Sequence, residues 1–281
     1  MKPFVITRIL APTDLSDSSV PALRYARLFA DRFAANLTVM YTDPMVYAAD
    51  YALPATPEHE ARLCREVEQH AGPAMEGRPY DIEVAAGQPI EAILAAAEKR
   101  NADFVVIGTH LRHGWRRALL GSVSEGVLHG SNCPVLAVAT RDRSAGATTE
   151  AITNILCPVN FTDVARESLH VAARLAAAFG ASLTIVHVVE SNEATDAAED
   201  EEAVKRWVDP GLRDITAYRE LVMRGGPAER VLDCAEDLGC DLLVIGAQHK
   251  LFRDATVIGT TTERLIRFAS CPVLVVPREI G

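Results

Sequence analysis

Two stretches of the chain place glycines and hydroxyl side chains where a phosphate group could be held. They run from Gly108 to Ser122 and from Gly246 to Thr260, and each leads into a segment with helical periodicity. In both, a Ser or Thr is followed three residues later by Glu, which is the spacing of a capping box and predicts that Ser122 and Thr260 are helix N-caps. Unpaired amides and the helix dipole at such a position favour an anion.

Basic side chains crowd the first of these stretches, at Arg112, His113, Arg116 and Arg117. Arginine is a good phosphate ligand, but a loop of this composition is equally well explained as a solvated surface, and both interpretations stay open. The histidines and the nearby cysteine fit no recognised zinc spacing, so we expect no metal site at His59, Cys64, His70, His110 and His113. His187 ends a predicted strand, and we interpret it as structural.

The elements that must position these residues occur twice. Ile6 to Leu10 recurs as Ile152 to Leu156, and Ala102 to Gly108 recurs as Cys240 to Gly246. This repeat predicts two domains, residues 1–142 and 151–281, joined by a polar linker at 143–150.

Each half alternates short apolar runs with helical stripes. The stripe at Leu23, Ala26, Ala30 and Phe33 keeps its spacing in the second half, and the runs Phe104–Ile107 and Leu242–Ile245 are unbroken, as in central parallel strands. Five strands alternating with four helices predict, for each domain, a doubly wound α/β fold: a mostly parallel five-stranded sheet with helices on both faces. Such sheets bind ligands where the strand order reverses, here after the first and fourth strands.

Composition limits the function classes. The 281 residues are 49% hydrophobic with a net charge of −10, which indicates a soluble globular protein and argues against binding nucleic acid or an anionic membrane. The six cysteines form no C-x-x-C pair, and no apolar stretch is long enough for a signal peptide or a membrane span. We therefore expect a cytoplasmic protein with reduced thiols, whose buried cysteines serve packing.

With these features, the chain resembles a tandem member of the universal stress protein family. The resemblance rests on Asp14 to Ser18 after the first strand, on Gly87-Gln88-Pro89, on the Cys-Pro-Val-Leu runs, and on the two glycine loops. The family's loop reads Gly, two residues, Gly, nine residues, Gly and then Ser or Thr. The resemblance implies a Rossmann-like fold of the adenine nucleotide alpha hydrolase type.

The resemblance also implies a nucleotide site. In ATP-binding members the Asp after the first strand contacts the ribose, a backbone group ending the second strand meets the adenine, and the glycine loop holds the phosphates. The first-half residues so implied are Thr13, Asp14, Thr42, Gly108, His110, Arg112, Gly121, Ser122 and Val123. The second half offers a weaker set, namely Asn160, Val188, Gly246, Gly259, Thr260 and Thr261.

The chain departs from the family pattern at the ligand positions. Leu111 and His249 replace the second loop glycine, where a side chain opposes close backbone approach, and Asn160 replaces the aspartate. The N-terminal domain is therefore the better candidate for ATP or another adenine nucleotide, with Mg²⁺ left open.

Three functions remain as hypotheses. The first is a nucleotide-binding protein of stress response or signalling, with at most slow ATP hydrolysis. The second is a homologue that has lost nucleotide binding and acts through protein contacts, and the third is a hydrolase of the same fold, for which the sequence supplies no reaction centre. By the same resemblance, Val135 to Val138 and Val273 to Val276 are expected to pair as an intramolecular pseudo-dimer, with a homodimer left open.

Overall fold

A computed structural model of the chain describes residues 4–44, 56–109, 121–139, 151–190, 196–247 and 259–277. Its described residues from 5 onward form two compact units, one within residues 5–149 and the other within residues 150–280. The predicted linker at 143–150 lies outside the described residues. None of the helices in these described ranges is long and apolar enough to cross a bilayer.

The first unit contains five strands and four helices within its described part. The strands are β1 (Arg8–Thr13), β2 (Asn36–Asp43), β3 (Asp81–Ala86), β4 (Phe104–Thr109) and β5 (Val135–Ala139). The helices are α1 (Val20–Phe33), α2 (Pro57–Met75), α3 (Pro89–Lys99) and α4 (Ser122–Gly130). A short 3-10 turn, Asp17–Ser19, precedes α1.

The second unit repeats this order. Its strands are β6 (Asn154–Val159), β7 (Ser182–Val189), β8 (Tyr218–Arg224), β9 (Leu242–Gly246) and β10 (Val273–Val276). Its helices are α5 (Asp163–Phe179), α6 (Ala197–Trp207), α7 (Pro227–Asp237) and α8 (Thr260–Phe268). A 3-10 turn, Pro210–Asp214, follows α6.

The predicted doubly wound fold is confirmed in both units. In the first, the strands lie in the order β3-β2-β1-β4-β5 and every neighbouring pair is parallel. In the second, the order is β8-β7-β6-β9-β10, again parallel throughout. The order reverses between β1 and β4 and between β6 and β9, so the carboxyl ends of those strands lie side by side at one edge.

The helical stripes read from the sequence form the core. Leu23, Ala26 and Ala30 are fully buried on α1, and the ring of Phe29 stacks on Phe104 of β4 with centroids 4.9 Å apart. All residues of β4 and β9 are buried, as expected of strands covered on both faces. Phe33, at the end of its stripe, is only half-buried, and the helix ends at the left-handed Ala34 that follows it.

A repeated carboxylate contact joins the start of each first strand to its fourth. Asp103 accepts hydrogen bonds from the amides of Thr7 and Arg8, at 3.0 and 2.9 Å, and from the Thr7 hydroxyl. Asp241 accepts from Thr153 and Asn154 in the same way. This contact fixes the central strands whose far ends carry the candidate site.

Candidate functional site

A cavity of about 620 Å³ opens at the carboxyl ends of β1, β2 and β4 in the first unit. It brings together every predicted first-half site residue that the structure describes, namely Thr13, Asp14, Thr42, Gly108, Gly121, Ser122 and Val123. The other two, His110 and Arg112, lie outside the described residues, as do Leu111, His113, Arg116 and Arg117. The cavity thus lies at the strand ends that the strand-order rule indicates.

Asp14 is held at the rim of this cavity by its own turn. Its Oδ1 accepts hydrogen bonds from the Ser16 amide at 3.1 Å and from the Ser16 hydroxyl at 2.6 Å, which is the Asx-turn arrangement. Leu15 between them is left-handed, with φ of 60°. The turn therefore fixes the direction of an exposed carboxylate that lines the cavity.

Behind Asp14, the cavity floor carries a buried hydroxyl network. Thr13 Oγ1 lies 2.7 Å from Ser19 Oγ, and it accepts a hydrogen bond from the Leu15 amide at 3.1 Å. Ser19 Oγ donates to the Ser16 carbonyl at 2.8 Å and lies 3.0 Å from His70 Nε2 of helix α2. Sequence reasoning missed Ser19 as a site residue and treated His70 only as an unlikely zinc ligand.

The end of β2 is tied to the same helix. The Asp43 carboxylate is buried and lies 2.7 Å from His59 Nε2, while Arg62 donates to His59 Nδ1 at 3.2 Å. Because Arg62 can only donate, His59 must carry its proton on Nε2 and donate to Asp43. Burial, reinforced by the Asp43 carboxylate, raises the pKa of Tyr41, so a neutral phenol lines the cavity.

The start of α4 also lines the cavity, and here the predicted N-cap, Ser122, is wrong. The N-cap is Gly121, with φ of −63° and ψ of 140°, because the first helical hydrogen bond runs from the Glu125 amide to the Gly121 carbonyl at 2.9 Å. Ser122 is already the first helical residue, and no side chain caps the helix. The Ser124 hydroxyl instead donates to the Gly108 carbonyl at 2.8 Å, joining α4 to β4.

The second unit shows the same correction. Gly259, not Thr260, is the N-cap of α8, because the Glu263 amide donates to the Gly259 carbonyl at 2.9 Å. Thr262 contacts the Gly246 carbonyl at 3.4 Å, as Ser124 does with Gly108. In both units, the N-cap predicted from the capping-box spacing is one residue after the observed N-cap. Ser122 and Thr260 are exposed and line a cavity.

The cavity of the second unit is smaller and lacks three hydroxyls that line the first. It has a volume of about 390 Å³, and the predicted residues that line it are Asn160, Val188, Gly246, Gly259, Thr260 and Thr261. Val159 and Ala165 stand at the positions of Thr13 and Ser19, and Val188 at that of Thr42. Asn160 is engaged by Thr162, whose hydroxyl donates to Asn160 Oδ1 at 2.8 Å.

Aromatic side chains replace the polar contacts of the first unit beside this second cavity. His187 Nδ1 donates to the Val159 carbonyl at 2.9 Å, and the Phe161 ring lies on the imidazole with centroids 4.2 Å apart. Trp207 packs against Phe161 from α6. His187 therefore has the structural role that the sequence predicts.

Comparison with known proteins agrees with this architecture. The model of the universal stress protein family matches residues 6–139 and 151–277. The chain belongs to the universal stress protein family. A universal stress protein of Methanocaldococcus jannaschii is 35% identical over 142 residues, which cover 47% of this chain and 81% of the relative. One of Mycobacterium bovis is 24% identical over 240 residues, or 77% of this chain and 79% of the relative.

A crystal structure of another family member matches nearly the whole chain. The universal stress protein of Archaeoglobus fulgidus DSM 4304 superposes with a TM-score of 0.75 at 25% identity, covering 96% of this chain and 98% of that one.

This universal stress protein offers little other reactive chemistry in its described part. Its six cysteines are free, and five of them are buried. Burial raises the pKa of Cys133, which precedes β5, and raises that of Cys157 to about 12. No group of three or more His, Cys, Asp or Glu side chains that could hold a metal ion occurs among the described residues.

Proposed function

We propose that the N-terminal unit binds an adenine nucleotide in the cavity at the ends of β1, β2 and β4. The observation that carries this proposal is the convergence of Asp14, Thr42, Gly108 and Gly121, distant in sequence, on one cavity. They stand at the positions to which the family resemblance assigns ribose, adenine and phosphate contacts. The volume of about 620 Å³ lies within the range of ordinary small-molecule sites.

Each part of the ligand has a matching wall. The Asp14 carboxylate accepts hydrogen bonds from ribose hydroxyls, and the backbone at Thr42 meets the edge of the adenine. The start of α4, from Gly121 to Val123, presents amides at the positive end of a helix dipole, which suits a phosphate. The three walls belong to three different elements, so their spacing depends on the folded sheet.

The second unit is the poorer candidate on physical grounds. Its cavity replaces two hydroxyls by Val159 and Ala165, and the Asp14 carboxylate by the Asn160 amide, which has one acceptor oxygen instead of two and no negative charge. Glu190 lines the cavity where the first unit has Pro44, and its negative charge opposes an anionic ligand. Binding of one nucleotide per chain is the expected stoichiometry.

In this proposal the protein acts as a cytoplasmic component of stress response or signalling rather than as an enzyme. The Ser19 hydroxyl lies 3.0 Å from His70 Nε2 but donates its proton to the Ser16 carbonyl, so it is not activated as a nucleophile, and we expect ATP turnover to be slow at most. The competing function is a protein that acts through protein contacts alone. Leu111 and His249, at loop positions where the family pattern has glycine, favour that alternative.

Analysis of bound nucleotide separates the two functions. The purified chain is denatured, the supernatant is analysed for nucleotides, and the stripped protein is titrated with ATP, ADP and AMP by calorimetry, with and without Mg²⁺. The proposal expects close to one adenine nucleotide per chain, or saturable binding of at least one of the three. No released nucleotide and no heat of binding would reject it and favour the protein-contact function.

A further inference from the structure

The three contacts of Ser19 beneath Asp14 can all be hydrogen bonds in only one arrangement of protons. Ser19 Oγ contacts three partners: the Ser16 carbonyl, Thr13 Oγ1 and His70 Nε2. The carbonyl can only accept, so the single proton of Ser19 goes to Ser16. His70 must then donate its Nε2 proton to Ser19, and Thr13 must donate its hydroxyl proton to Ser19.

This arrangement decides what Thr13 can offer to a ligand. Its hydroxyl proton is used on Ser19, and one of its two lone pairs accepts from the Leu15 amide at 3.1 Å. The remaining capacity of Thr13 Oγ1 is one acceptor position, on a residue that lines the cavity. A hydroxyl that could otherwise have turned to donate is thereby restricted to accepting.

The next residue along the chain has the same preference. The Asp14 carboxylate is also an acceptor, and its rim position is fixed by the hydrogen bonds from Ser16. Two adjacent acceptors suit a ligand with two adjacent donors. Vicinal hydroxyls, as in the 2′,3′-diol of a ribonucleotide, have this chemistry, whereas a phosphate, which lacks donors when ionised, does not.

We propose that Ser19, held in place by His70, fixes Thr13 as a hydrogen-bond acceptor and so makes the cavity selective for a ribose diol. The proposal rests on nucleotide binding at this cavity, with the ribose at Asp14, and adds the residues that read the second sugar hydroxyl. His70 is a positioning residue, because it touches Ser19 and reaches the ligand only through Thr13. One ligand hydroxyl binds Asp14 and the other binds Thr13.

The second unit provides an internal contrast. Val159 and Ala165 stand where Thr13 and Ser19 stand in the first, so neither hydroxyl of the pair exists there. Helix α6, which follows β7, makes a different contact with the start of α5: Arg166 donates to the Trp207 carbonyl at 3.1 Å. The diol-reading arrangement therefore belongs to the first unit.

The test compares ATP with 2′-deoxy-ATP and 3′-deoxy-ATP by calorimetry. In the unsubstituted chain each deoxy analogue should bind about tenfold more weakly, because each lacks one hydrogen bond and leaves a protein acceptor unpaired. Ser19→Ala frees the Thr13 hydroxyl to rotate. The penalty for the analogue that lacks the hydroxyl bound by Thr13 should then fall to about twofold, while the penalty for the analogue that lacks the hydroxyl bound by Asp14 stays near tenfold.

His70 variants test the positioning role. His70→Leu should reduce the same single penalty as Ser19→Ala and should add nothing in the Ser19→Ala background, since coupled residues are non-additive. His70→Gln keeps a side-chain N–H donor and should retain the discrimination. His170→Leu, at a largely buried histidine of α5 in the second unit, is the matched control and should change neither penalty.

A measurement without ligand tests the proton arrangement directly. Nitrogen-15 spectra of the imidazole should show His70 protonated at Nε2, and the Nδ1-protonated neutral tautomer would overturn the proposal. Unchanged penalties in Ser19→Ala, or equal loss of both, would also overturn it while leaving nucleotide binding intact. Failure of ATP to bind the unsubstituted chain would reject both the proposed function and this inference.

Discussion

Gly246 lies so close to Val164 that a Cβ atom on the glycine would fall 2.5 Å from Val164 Cγ1 and 2.9 Å from its carbonyl oxygen. The end of β9 is thus packed directly on the start of α5. The equivalent Gly108 of β4 has more room, with Ser18 O at 3.4 Å and Ser19 Cα at 3.5 Å from an added Cβ. The same motif glycine is therefore required for packing in one unit and not in the other.

We expect Gly246→Ala to lower the free energy of unfolding by about 1–3 kcal/mol, the usual cost of overpacking against backbone. Gly108→Ala should change it by less than about 0.5 kcal/mol, because the new methyl group makes ordinary contacts. Urea denaturation followed by circular dichroism measures both. Equal losses from the two substitutions would contradict this difference in packing.

Asp14→Ala should weaken nucleotide binding by about ten- to one hundredfold, since a hydrogen bond to a charged group contributes about 1.5–3 kcal/mol. Asn160→Ala is the matched substitution in the second unit. It should change the affinity by less than about threefold, because Asn160 is distant from the proposed nucleotide site. Titration calorimetry with ATP gives both values. Comparable losses from both substitutions would show that the two units bind ligand alike.

Gly121→Val tests the wall at the start of α4. The backbone of Gly121 has a φ of −63° and a ψ of 140°, a conformation open to any residue, so the variant should fold. Its branched side chain would stand beside the amides of Ser122 and Val123, and we expect at least a tenfold loss of nucleotide affinity by calorimetry, roughly the value of one phosphate contact. Gly259→Val, also at an extended N-cap, is the control and should leave the affinity unchanged.

The sequence was sufficient to predict the fold and the residues around the cavity. Periodicity located the helices, and the reversal of strand order predicted that Asp14 and Gly108 would meet, because that rule follows from parallel connections alone. It was not sufficient for the pair of Ser19 and His70, which are 51 residues apart and meet only because α2 packs on α1. The repeat gave no help there, since Ala165 replaces Ser19.

The prediction of the helix N-caps was wrong for a local reason. Ser122 and Glu125 have the spacing of a capping box. The first helical hydrogen bond, however, is accepted by the Gly121 carbonyl, so α4 begins one residue earlier than that spacing predicts. Spacing alone could not distinguish the two starts, because glycine is also an accepted N-cap. The loop residues from His110 to Leu120 lie outside the described part of the chain.

Buried thiols predict a loss of stability at alkaline pH. Burial raises the pKa of Cys157 and of Cys240 from 9.0 to about 12. Above pH 9 the unfolded chain therefore releases thiol protons that the folded chain retains, so the unfolded state is favoured as pH rises. Each of the two cysteines should lower the free energy of unfolding by up to about 1.4 kcal/mol per pH unit between pH 9 and 12.

Urea denaturation at intervals from pH 7 to 10.5 measures this slope. Cys157→Ala lowers the stability at neutral pH, because it removes buried volume, but it should flatten the decline above pH 9 by about the contribution of one thiol. Cys64→Ala, at a partly exposed position of α2, serves as the control and should leave the slope unchanged. If Cys157→Ala declines as steeply as the unsubstituted chain, groups other than this thiol set the alkaline limit of the fold.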